Sequence, residues 1–488
     1  MLLPMHTDPD LTASEREVLG RAALDWVLRW FDRSADRPLY PAVTADGVAR
    51  ALGAALPVEP HDPLDVLRVF ASDIVGASRD NGHPRMFGYV MSSGAYVGAI
   101  ADFLASALNQ NVTSWRSSPG GTTIERQVIS WFREIVAFPD AGEGYLVGGG
   151  SMANFVGLAA ALSAAAPDAS ERGVRALAGE PVIYASELVH MSIPRAAAML
   201  GLGRGAVRHI PVDADCRMHL PSLDGALRDD RAAGRLPVCV VVNAGDVNTG
   251  AIDPIDGAAD LCGRHGVWLH ADAAYGGFAM LAPSGRAALE GLGRADSLSL
   301  DPHKWLYVPV DAGCVLVRDA DALRRAFSLS AGYVDVIARP ETSAFAFWDY
   351  SPELSRRFRA LKVWMVLCCH GTRALGALIE RDIAHARQLA AAIDKSDVFE
   401  RLAPCSLSTV CFRYAPRDRQ LSAADLDALN RAIMLDVQHG GLAYLSSTIL
   451  GGRFALRACI LNHRTTDDDM PRLLEIVEEA GARLVSRC

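Results

Sequence analysis

The stretch Ser299-Leu300-Asp301-Pro302-His303-Lys304-Trp305-Leu306-Tyr307 places one lysine between apolar and aromatic residues, directly after a histidine. Further apolar runs follow at residues 308–310 and 314–317. A lysine held against such a buried wall loses hydration, and desolvation lowers the pKa of an amine. A neutral amine can form a Schiff base with an aldehyde. The alternative for a single lysine is an exposed position at a strand end, which is where most lysines lie.

A second stretch, Val267-Trp268-Leu269-His270-Ala271-Asp272-Ala273-Ala274-Tyr275-Gly276-Gly277, ends a short apolar strand in one carboxylate. A carboxylate at the end of a buried strand needs a cationic partner. The protonated pyridine nitrogen of pyridoxal phosphate (PLP) is such a partner, and an aspartate usually lies opposite it. Asp272 is therefore a candidate for that position.

A third stretch, Tyr145-Leu146-Val147-Gly148-Gly149-Gly150-Ser151-Met152-Ala153-Asn154, runs from a strand through glycines and a serine into an apolar helix. Backbone N–H groups at such a helix start bind phosphate. A glycine loop alone is not specific. The order glycine loop, aspartate, lysine along one chain predicts a PLP site.

These stretches resemble the group II PLP-dependent amino-acid decarboxylases, and the resemblance runs from Trp26 to about Gly481. Asp301-Pro302-His303-Lys304-Trp305 is similar to the family's Asn-Pro-His-Lys-(Trp/Met) box around the cofactor lysine. The Asp-Ala-Ala-Tyr run at Asp272 is a second match. Leu188-Val189-His190 is a third, since the family has a histidine there that stacks on the cofactor ring. Taken alone, His190 would more often be a structural histidine.

The resemblance implies roles for individual residues. The catalytic residues that it implies are Lys304, His190, Asp272 and Tyr333. The cofactor-binding residues that it implies are Gly149, Gly150, Ser151, His190, Asp272, Ala274, His303 and Lys304. The substrate contacts that it implies are Tyr89, Ser92, Thr113, Trp115 and Arg457, with residues 111–115 reaching across a dimer. No metal site is predicted.

Two of these assignments have alternatives from the residues themselves. Tyr333 lies on a stretch whose composition indicates a movable loop, and in the family a loop tyrosine closes over the site and returns a proton; a packed aromatic anchor is the alternative. Arg457 lies inside a predicted strand, where a buried arginine needs an anion. The substrate carboxylate is one candidate for that anion, and a structural salt bridge is the other.

The chain departs from the family pattern at two places. Asp301 stands where the family often has an asparagine that helps to bind the phosphate, and an ionised carboxylate would repel a phosphate. Gly245-Asp246-Val247-Asn248-Thr249-Gly250 lacks the hydroxyls of the family's Gly-Thr-Thr run at Asp246 and Val247. We therefore expect altered contacts to the cofactor at these two places.

A chain of 488 residues is too long for one ordinary core. We expect an N-terminal helical segment at residues 1–95, a large PLP-binding domain at 96–371 and a small C-terminal domain at 372–488. In the N-terminal segment, Ser14 and Glu17 are spaced as a capping box before a wide apolar stripe. The resemblance implies that this stripe packs against a second subunit in a homodimer; packing on its own domain is the alternative.

Charge and composition exclude several classes of function. The net charge of −9 and the absence of a Lys/Arg-rich run argue against a nucleic-acid partner. No uninterrupted apolar run of about 18 residues indicates a membrane span. The start of the chain lacks the plan of a signal peptide. The ten cysteines are scattered, without a CxxC pair. We therefore expect a cytoplasmic protein.

Between Tyr145 and Val317 short apolar strands alternate with helical patterns, which predicts an α/β fold with a mostly parallel sheet and helices on both faces. The strands are predicted at residues 144–147, 182–184, 238–243, 267–270, 297–300 and 314–317. In the C-terminal part, strands are predicted at 409–414 and 454–460. The resemblance adds that the fold is the PLP-dependent transferase-like fold type I, with a smaller C-terminal α/β domain.

The function expected from these residues is PLP-dependent decarboxylation of an L-amino acid, with an aromatic one as the expected substrate, to the amine and CO2. The Lys304-Trp305-Leu306 and Leu456-Arg457 segments are similar to the aromatic type. The Gly82-His83-Pro84-Arg85 segment is similar to the glutamate type. The alternatives are an acidic or small polar substrate (glutamate, cysteine sulfinate or diaminobutyrate), oxidative decarboxylation-deamination to an aldehyde, and a cofactor-free structural relative.

Overall fold

The structure is a computed structural model that describes residues 10–32, 35–329 and 345–485. The helices are α1 (Ala13–Asp32), α2 (Ala45–Leu52), α3 (Pro63–Val69), α4 (Tyr96–Leu108), α5 (Pro119–Ile135), α6 (Gly150–Ala165), α7 (Ala169–Arg172), α8 (Ser192–Met199), α9 (Leu220–Ala232), α10 (Ile255–His265), α11 (Pro283–Ala288), α12 (Pro302–Trp305), α13 (Ala320–Phe327), α14 (Ala360–Asp394), α15 (Ala423–His439) and α16 (Asp469–Val485). The strands are β1 (Glu143–Val147), β2 (Pro181–Ser186), β3 (Val207–Ile210), β4 (Leu236–Asn243), β5 (Trp268–Asp272), β6 (Ser297–Leu300), β7 (Gly313–Val317), β8 (Phe399–Arg401), β9 (Thr409–Tyr414), β10 (Ser446–Leu450) and β11 (Arg453–Cys459).

The first seven strands form one sheet in the order β1-β7-β6-β5-β4-β2-β3. The pairs β2/β3, β2/β4, β4/β5 and β5/β6 are parallel, and β7 is antiparallel to both of its neighbours. All six strands predicted in this region are confirmed to within a few residues. Strand β3 was missed because its centre, Arg208-His209, is polar and the strand lies at the sheet edge, so it carries no continuous apolar run.

Helices cover both faces of this sheet, as predicted. Along β4 successive side chains alternate between the faces. Cys239 and Val241 pack in one core cluster with Leu158 of α6. Val240 and Val242 belong to another cluster that includes residues of α9 and α10. Because β4 is covered on both sides, its sequence is a nearly continuous apolar run.

The strand ends bring the predicted site residues to one edge of the sheet. Helix α6 begins just after β1, and His190 follows β2. Asp272 is the last residue of β5, and Lys304 follows β6. Ligands of open α/β sheets bind at this carboxyl edge.

The C-terminal strands form a separate antiparallel sheet in the order β10-β11-β9-β8. Its apolar side packs on α15, α16 and the second half of α14 through buried residues such as Ile433, Val477 and Leu389. The two strands predicted here are confirmed. The structure adds two strands that were not predicted. Strand β8 has only three residues, and strand β10 begins with three polar residues and lacks a regular alternation of buried and exposed positions.

The start of α1 differs from the expectation. The helix begins at Ala13, and the reciprocal bonds join Thr12 and Glu15: the Glu15 N–H donates to Thr12 Oγ1, and the Thr12 N–H donates to the Glu15 carboxylate. The capping box predicted at Ser14 and Glu17 is therefore wrong by two residues. Both spacings fit the motif, and only the helix start distinguishes them.

The segment Arg356-Arg357-Phe358-Arg359 is not a solvent-exposed face, although it contains three arginines. Arg356 is buried and forms an ion pair with Glu125, which is fully buried on α5. It also donates to the carbonyls of Val112 and Leu146. Only Arg357 stays largely exposed. The buried pair therefore joins β1, α5 and the segment before α14.

Helix α14 is interrupted at Gly371, whose φ of 72° lies in the left-handed region that favours glycine. The predicted domain boundary at 371/372 coincides with this break, although the domain limits remain a prediction. The nine described cysteines are free. The cytoplasmic location stays a prediction. Within the described residues no helix has the length and apolar character needed to cross a membrane.

Candidate active site

A cavity of about 870 Å³ opens at the carboxyl edge of the large sheet and is closed on the other side by residues of the C-terminal sheet. Most of the predicted site residues line it: Tyr89, Gly149, Gly150, Ser151, His190, Asp272, Ala274, His303, Lys304 and Arg457. The structure therefore brings together residues that are up to several hundred positions apart in the chain.

Lys304 lies in the one-turn helix α12, directly after β6. Its Nζ is 2.9 Å from Oδ2 of Asp301, the residue that precedes this turn. Asp301 is buried, and its second oxygen, Oδ1, has no hydrogen-bond partner among the described residues. The acidic departure from the family pattern thus acts as an ion-pair partner of the lysine.

Asp272 ends β5 and is nearly buried. Its Oδ2 accepts a hydrogen bond from Nδ2 of Asn154 at 2.8 Å, and its Oδ1 accepts one from Oγ of Ser299 at 3.0 Å. Burial raises the pKa of this carboxyl, but the positive charge of Lys304, the His190 ring and the Asn154 amide together lower it by more. The net pKa lies below its ordinary value, so the group is an anion at neutral pH.

His190 follows β2 and lies partly buried in the cavity. Its Nδ1 is 2.8 Å from Oγ of Ser192 at the start of α8. Burial lowers the pKa of the imidazole, and the nearby Asp272, which acts in the opposite direction, does not restore it. The ring is therefore neutral at neutral pH.

The glycine loop between β1 and α6 has no room for a side chain at Gly150. A Cβ there would lie 2.8 Å from Cβ of Ala274 and 2.9 Å from Oδ2 of Asp301. The first N–H groups of a helix have no carbonyl partner within the helix, and the first two residues of α6, Gly150 and Ser151, line the cavity. Such a helix start suits an anion.

Asp246, the other acidic departure from the family pattern, caps its own loop. Its Oδ1 accepts from the N–H groups of Asn248 and Thr249, and its Oδ2 accepts from Ala251 N–H and the Thr249 hydroxyl. Burial raises the pKa of this carboxyl despite these bonds. The side chain replaces the missing hydroxyls as a structural element and has no acceptor left for a ligand.

Arg457 of β11 is buried at the wall that the C-terminal sheet contributes. Its guanidinium donates to the carbonyls of Asn248 and Tyr89 and to Oγ of Ser446. Its Nη2 has no partner, and it forms no ion pair with a described residue. The structural salt bridge considered from the sequence is therefore not found within residues 10–32, 35–329 and 345–485.

Three predicted residues are not brought into this cavity. Ser92 is buried and donates its hydroxyl to the carbonyl of His303 at 2.9 Å, behind the lysine. Thr113 is buried. Trp115 is half-exposed, and its backbone N–H donates to the carbonyl of Phe345. Neither lines the cavity within one chain. Tyr333 lies outside the described residues.

Sequence reasoning missed several polar residues around the site. Asn154 and His270 contact each other, and Asn154 contacts Asp272. Two signals were available in the sequence. One is an asparagine on an otherwise apolar helix. The other is a histidine two positions before Asp272, a spacing that places His270 and Asp272 on one face of β5. In the described part of the chain, no cluster of His, Cys, Asp and Glu side chains could hold a metal ion.

A lysine, an aspartate and a glycine loop at the carboxyl edge of a mostly parallel seven-stranded sheet define a PLP-dependent enzyme of fold type I. Residues 48–415 match the family described as the pyridoxal-dependent decarboxylase conserved domain. The chain belongs to this family and is a PLP-dependent amino-acid decarboxylase, which is a carboxy-lyase.

Individual relatives agree with this assignment. The chain is 35% identical to an aromatic-L-amino-acid decarboxylase of Bacillus atrophaeus over 471 residues, 96% of each chain. It is 35% identical to an L-2,4-diaminobutyrate decarboxylase of Rhizobium meliloti (strain 1021) over 407 residues, 83% of this chain and 79% of the relative. A crystal structure of Oryza sativa TDC with PLP and tryptamine superposes with a TM-score of 0.90 and 27% identity, covering 98% of this chain and 100% of that one.

The residues present fit PLP. The helix start at Gly150 offers N–H groups to a phosphate where a Cβ would collide. The anionic Asp272 lies in the same cavity as Lys304 and suits a protonated ring nitrogen. The donor and acceptor set therefore matches the three polar ends of the cofactor: phosphate, ring nitrogen and aldehyde.

Proposed function

We propose that this enzyme decarboxylates an aromatic L-amino acid to the corresponding amine and CO2. The observation that carries the proposal is the cavity that Asp272, Lys304 and Arg457 share with apolar and aromatic side chains. Its apolar wall includes Tyr89, Met91, Val310, Met434 and Tyr444. A relative that is 35% identical over nearly the whole chain carries the same activity in its name.

Each charged residue has a distinct part in this proposal. Lys304 would bind PLP covalently, and PLP, when bound, would supply the electron sink that decarboxylation needs. Asp272 would hold a proton on the ring nitrogen by its negative charge. His190 would contact the ring as a neutral imidazole. Gly150 and Ser151 hold the phosphate through their N–H groups.

Arg457 binds the substrate carboxylate in this proposal. The supporting observation is a buried guanidinium whose Nη2 has no partner and whose charge no described carboxylate neutralises. Decarboxylation requires the bond from Cα to the carboxylate to stand perpendicular to the cofactor ring. A fixed arginine at the cavity wall is a suitable anchor for that orientation, because three of its hydrogen bonds already hold it in place.

The charges of the cavity favour an aromatic side chain over charged ones. Among its described lining residues, the Lys and Arg side chains are Lys304 and Arg457, and both have roles in the proposal. An acidic substrate would need a further cation. A diaminobutyrate amine would need a carboxylate of its own, but the oxygens of Asp246 are occupied by its own loop, Asp272 is assigned to the ring nitrogen, and Asp301 is paired with Lys304.

The test is a measurement of CO2 release from a panel of L-amino acids by the PLP-loaded enzyme. We expect tryptophan, tyrosine or DOPA to be turned over with kcat/KM at least tenfold above that for glutamate, cysteine sulfinate or diaminobutyrate. Lys304→Ala is the inactive control. Preference for diaminobutyrate would instead favour the relative of that type and would contradict the aromatic assignment.

Replacing Asp272 by asparagine tests its role on the ring nitrogen. A neutral group no longer holds the ring proton, so we expect kcat to fall on the order of 100-fold or more, with a much smaller change in KM. Asp230→Asn is the control, because Asp230 is a buried carboxylate that pairs with Arg208 and Arg235 and does not line the cavity. An Asp272→Asn enzyme with wild-type kcat would remove this role.

Replacing Tyr333 by phenylalanine tests the proton donor and decides between the two kinds of chemistry. We propose, from the family resemblance, that the Tyr333 phenol returns a proton to the α-carbon that has lost its carboxylate. Without that proton, O2 has more time to oxidise this carbon. We expect slower amine formation, with aldehyde, ammonia and hydrogen peroxide rising together. Equal yields of amine in both enzymes would leave His190 as the donor.

We also propose that the enzyme is a homodimer. Helices α1, α2 and α3 bury none of their side chains in the single chain, although they carry a wide apolar surface that continues onto α4. Exposed apolar residues on it are Val18, Leu24, Leu28, Val66, Val69, Phe103 and Leu108. Such a surface is typical of an interface between subunits. Light scattering should give twice the chain mass; an active monomer would contradict this.

A further inference from the structure

A buried polar stripe runs across the large sheet beneath α6. Trp268, His270 and Asp272 alternate along β5 and therefore share one face. On the neighbouring strand β6, Ser297 pairs with His270 and Ser299 pairs with Asp272. Side chains on this face are connected from one end of the stripe to the other by hydrogen bonds. Only its last member, Asp272, belongs to the site described above.

The direction of these bonds can be worked out from the carboxylate end. Asp272 is an anion and only accepts, so the atom of Asn154 that faces it at 2.8 Å is the amide nitrogen Nδ2. The amide oxygen Oδ1 then faces Nε2 of His270 at 2.9 Å. Because an amide oxygen only accepts, His270 must carry its proton on Nε2.

The bonds at the other end agree with this tautomer. The indole Nε1–H of Trp268 can only donate, and it donates to Oγ of Ser297 at 2.8 Å. Burial lowers the pKa of the His270 imidazole to about 4, so the ring is neutral and its one proton is on Nε2. Nδ1 is then an acceptor, and the Ser297 hydroxyl, 2.7 Å away, donates its own hydrogen to it.

The amide of Asn154 has a second N–H, which leads to the other side of the cofactor site. It donates to Oγ of Ser192 at 2.8 Å. The Ser192 hydroxyl then donates to Nδ1 of His190 at 2.8 Å, and the Ser192 backbone N–H points at the same nitrogen from 3.3 Å. Two donors at Nδ1 leave the His190 proton on Nε2.

We infer that His270 and Asn154 are positioning residues that fix the tautomer of His190 and the acceptor orientation of Asp272 through one directed hydrogen-bond chain. Trp268 and Ser297 set the direction at its far end. The inference deepens the proposed function, since His190 and Asp272 are the groups proposed to contact the cofactor ring. The tautomers themselves are properties of the folded chain and do not depend on turnover.

The helix above the stripe is adapted to the His270 ring. A Cβ at Gly157 of α6 would lie 2.5 Å from both Nδ1 and Cε1 of His270. A glycine inside a helix is destabilising relative to alanine. Glycine at this turn therefore lowers the stability of the helix but allows the helix to pack closely on the His270 ring. Such close packing holds the ring in one orientation.

The experiment uses the PLP-loaded enzyme labelled with ¹⁵N-histidine, because imidazole ¹⁵N shifts separate protonated from unprotonated ring nitrogens. His190→Asn and His270→Gln variants assign the two signals. In wild type we expect both rings to be neutral with the proton on Nε2. A wild-type His190 with its proton on Nδ1 overturns the inference at once.

Two variants at one position separate hydrogen bonding from packing. His270→Leu removes both bonds and leaves the buried oxygen of Asn154 without a donor, so the amide is no longer held in place between Asp272 and Ser192. We therefore expect His190 to populate both tautomers and kcat to fall roughly 10- to 100-fold, as for other residues that orient a site through a neighbour. KM should change less than about threefold. His270→Gln can donate to Asn154 and accept from Ser297, so it should restore the single tautomer and most of the lost kcat.

Equal losses in His270→Leu and His270→Gln, or an unchanged His190 tautomer in a folded His270→Leu enzyme, would contradict the inference. If His270→Leu does not fold, Ser192→Ala takes its place. It removes the hydroxyl donor and leaves only the longer backbone N–H bond at Nδ1 of His190, so the tautomer of His190 should become mixed while His270 keeps its proton on Nε2. A His190 signal unchanged in Ser192→Ala contradicts the chain of bonds as well. Failure of the aromatic substrate assignment leaves all these tautomer results intact.

Discussion

The structure around the active site depends on the compensation of one buried negative charge, that of Asp272. A carboxylate removed from water at a strand end is costly unless cations and donors surround it. Asn154 and Ser299 supply the donors, and Lys304 supplies charge from the neighbouring strand end. The parallel arrangement of β5 and β6 is what allows this, because it places the ends of both strands at the same edge of the sheet. The same charge that folding must accommodate is the one that a protonated pyridine ring needs.

The sequence predicted the central strands and the residues at their ends because both follow from local patterns: an apolar run, then a polar residue where the run stops. It could not predict features that depend on distant partners. The burial of Arg356 is one such feature, since its buried partner Glu125 lies on a helix more than two hundred residues earlier. Asp246 was expected to alter the contacts to the cofactor. The sequence alone does not distinguish a carboxylate that caps its own loop from one that faces a ligand. No role was predicted for His270, which lies two positions before the more recognisable Asp272.

The cavity also joins two parts of the chain that fold around separate cores. Arg457 comes from the antiparallel C-terminal sheet, yet it donates to the main chain of Asn248 in the large sheet's loops and to that of Tyr89 near the N-terminal segment. Thr448 reaches Asn248 from the same side. Carbonyl acceptors orient the guanidinium without neutralising it, so its charge remains available to a ligand. The position of an anionic ligand relative to Lys304 is thereby set by the packing of one core on the other.

Because of the hydrogen-bond chain, a substitution at Asp272 changes more than the charge at that position. Both oxygens of this carboxylate accept bonds, one from Asn154 and one from the Ala274 backbone N–H. An asparagine at position 272 would keep its oxygen toward the backbone donor, which cannot turn, and would present its own NH₂ to Asn154. The Asn154 amide would then have to rotate, and His270 would face a donor and move its proton to Nδ1. Ser192 would donate to the rotated amide oxygen instead of His190. A loss of rate in such an enzyme therefore combines the missing charge with a released histidine, and only the tautomer of His190 tells the two contributions apart.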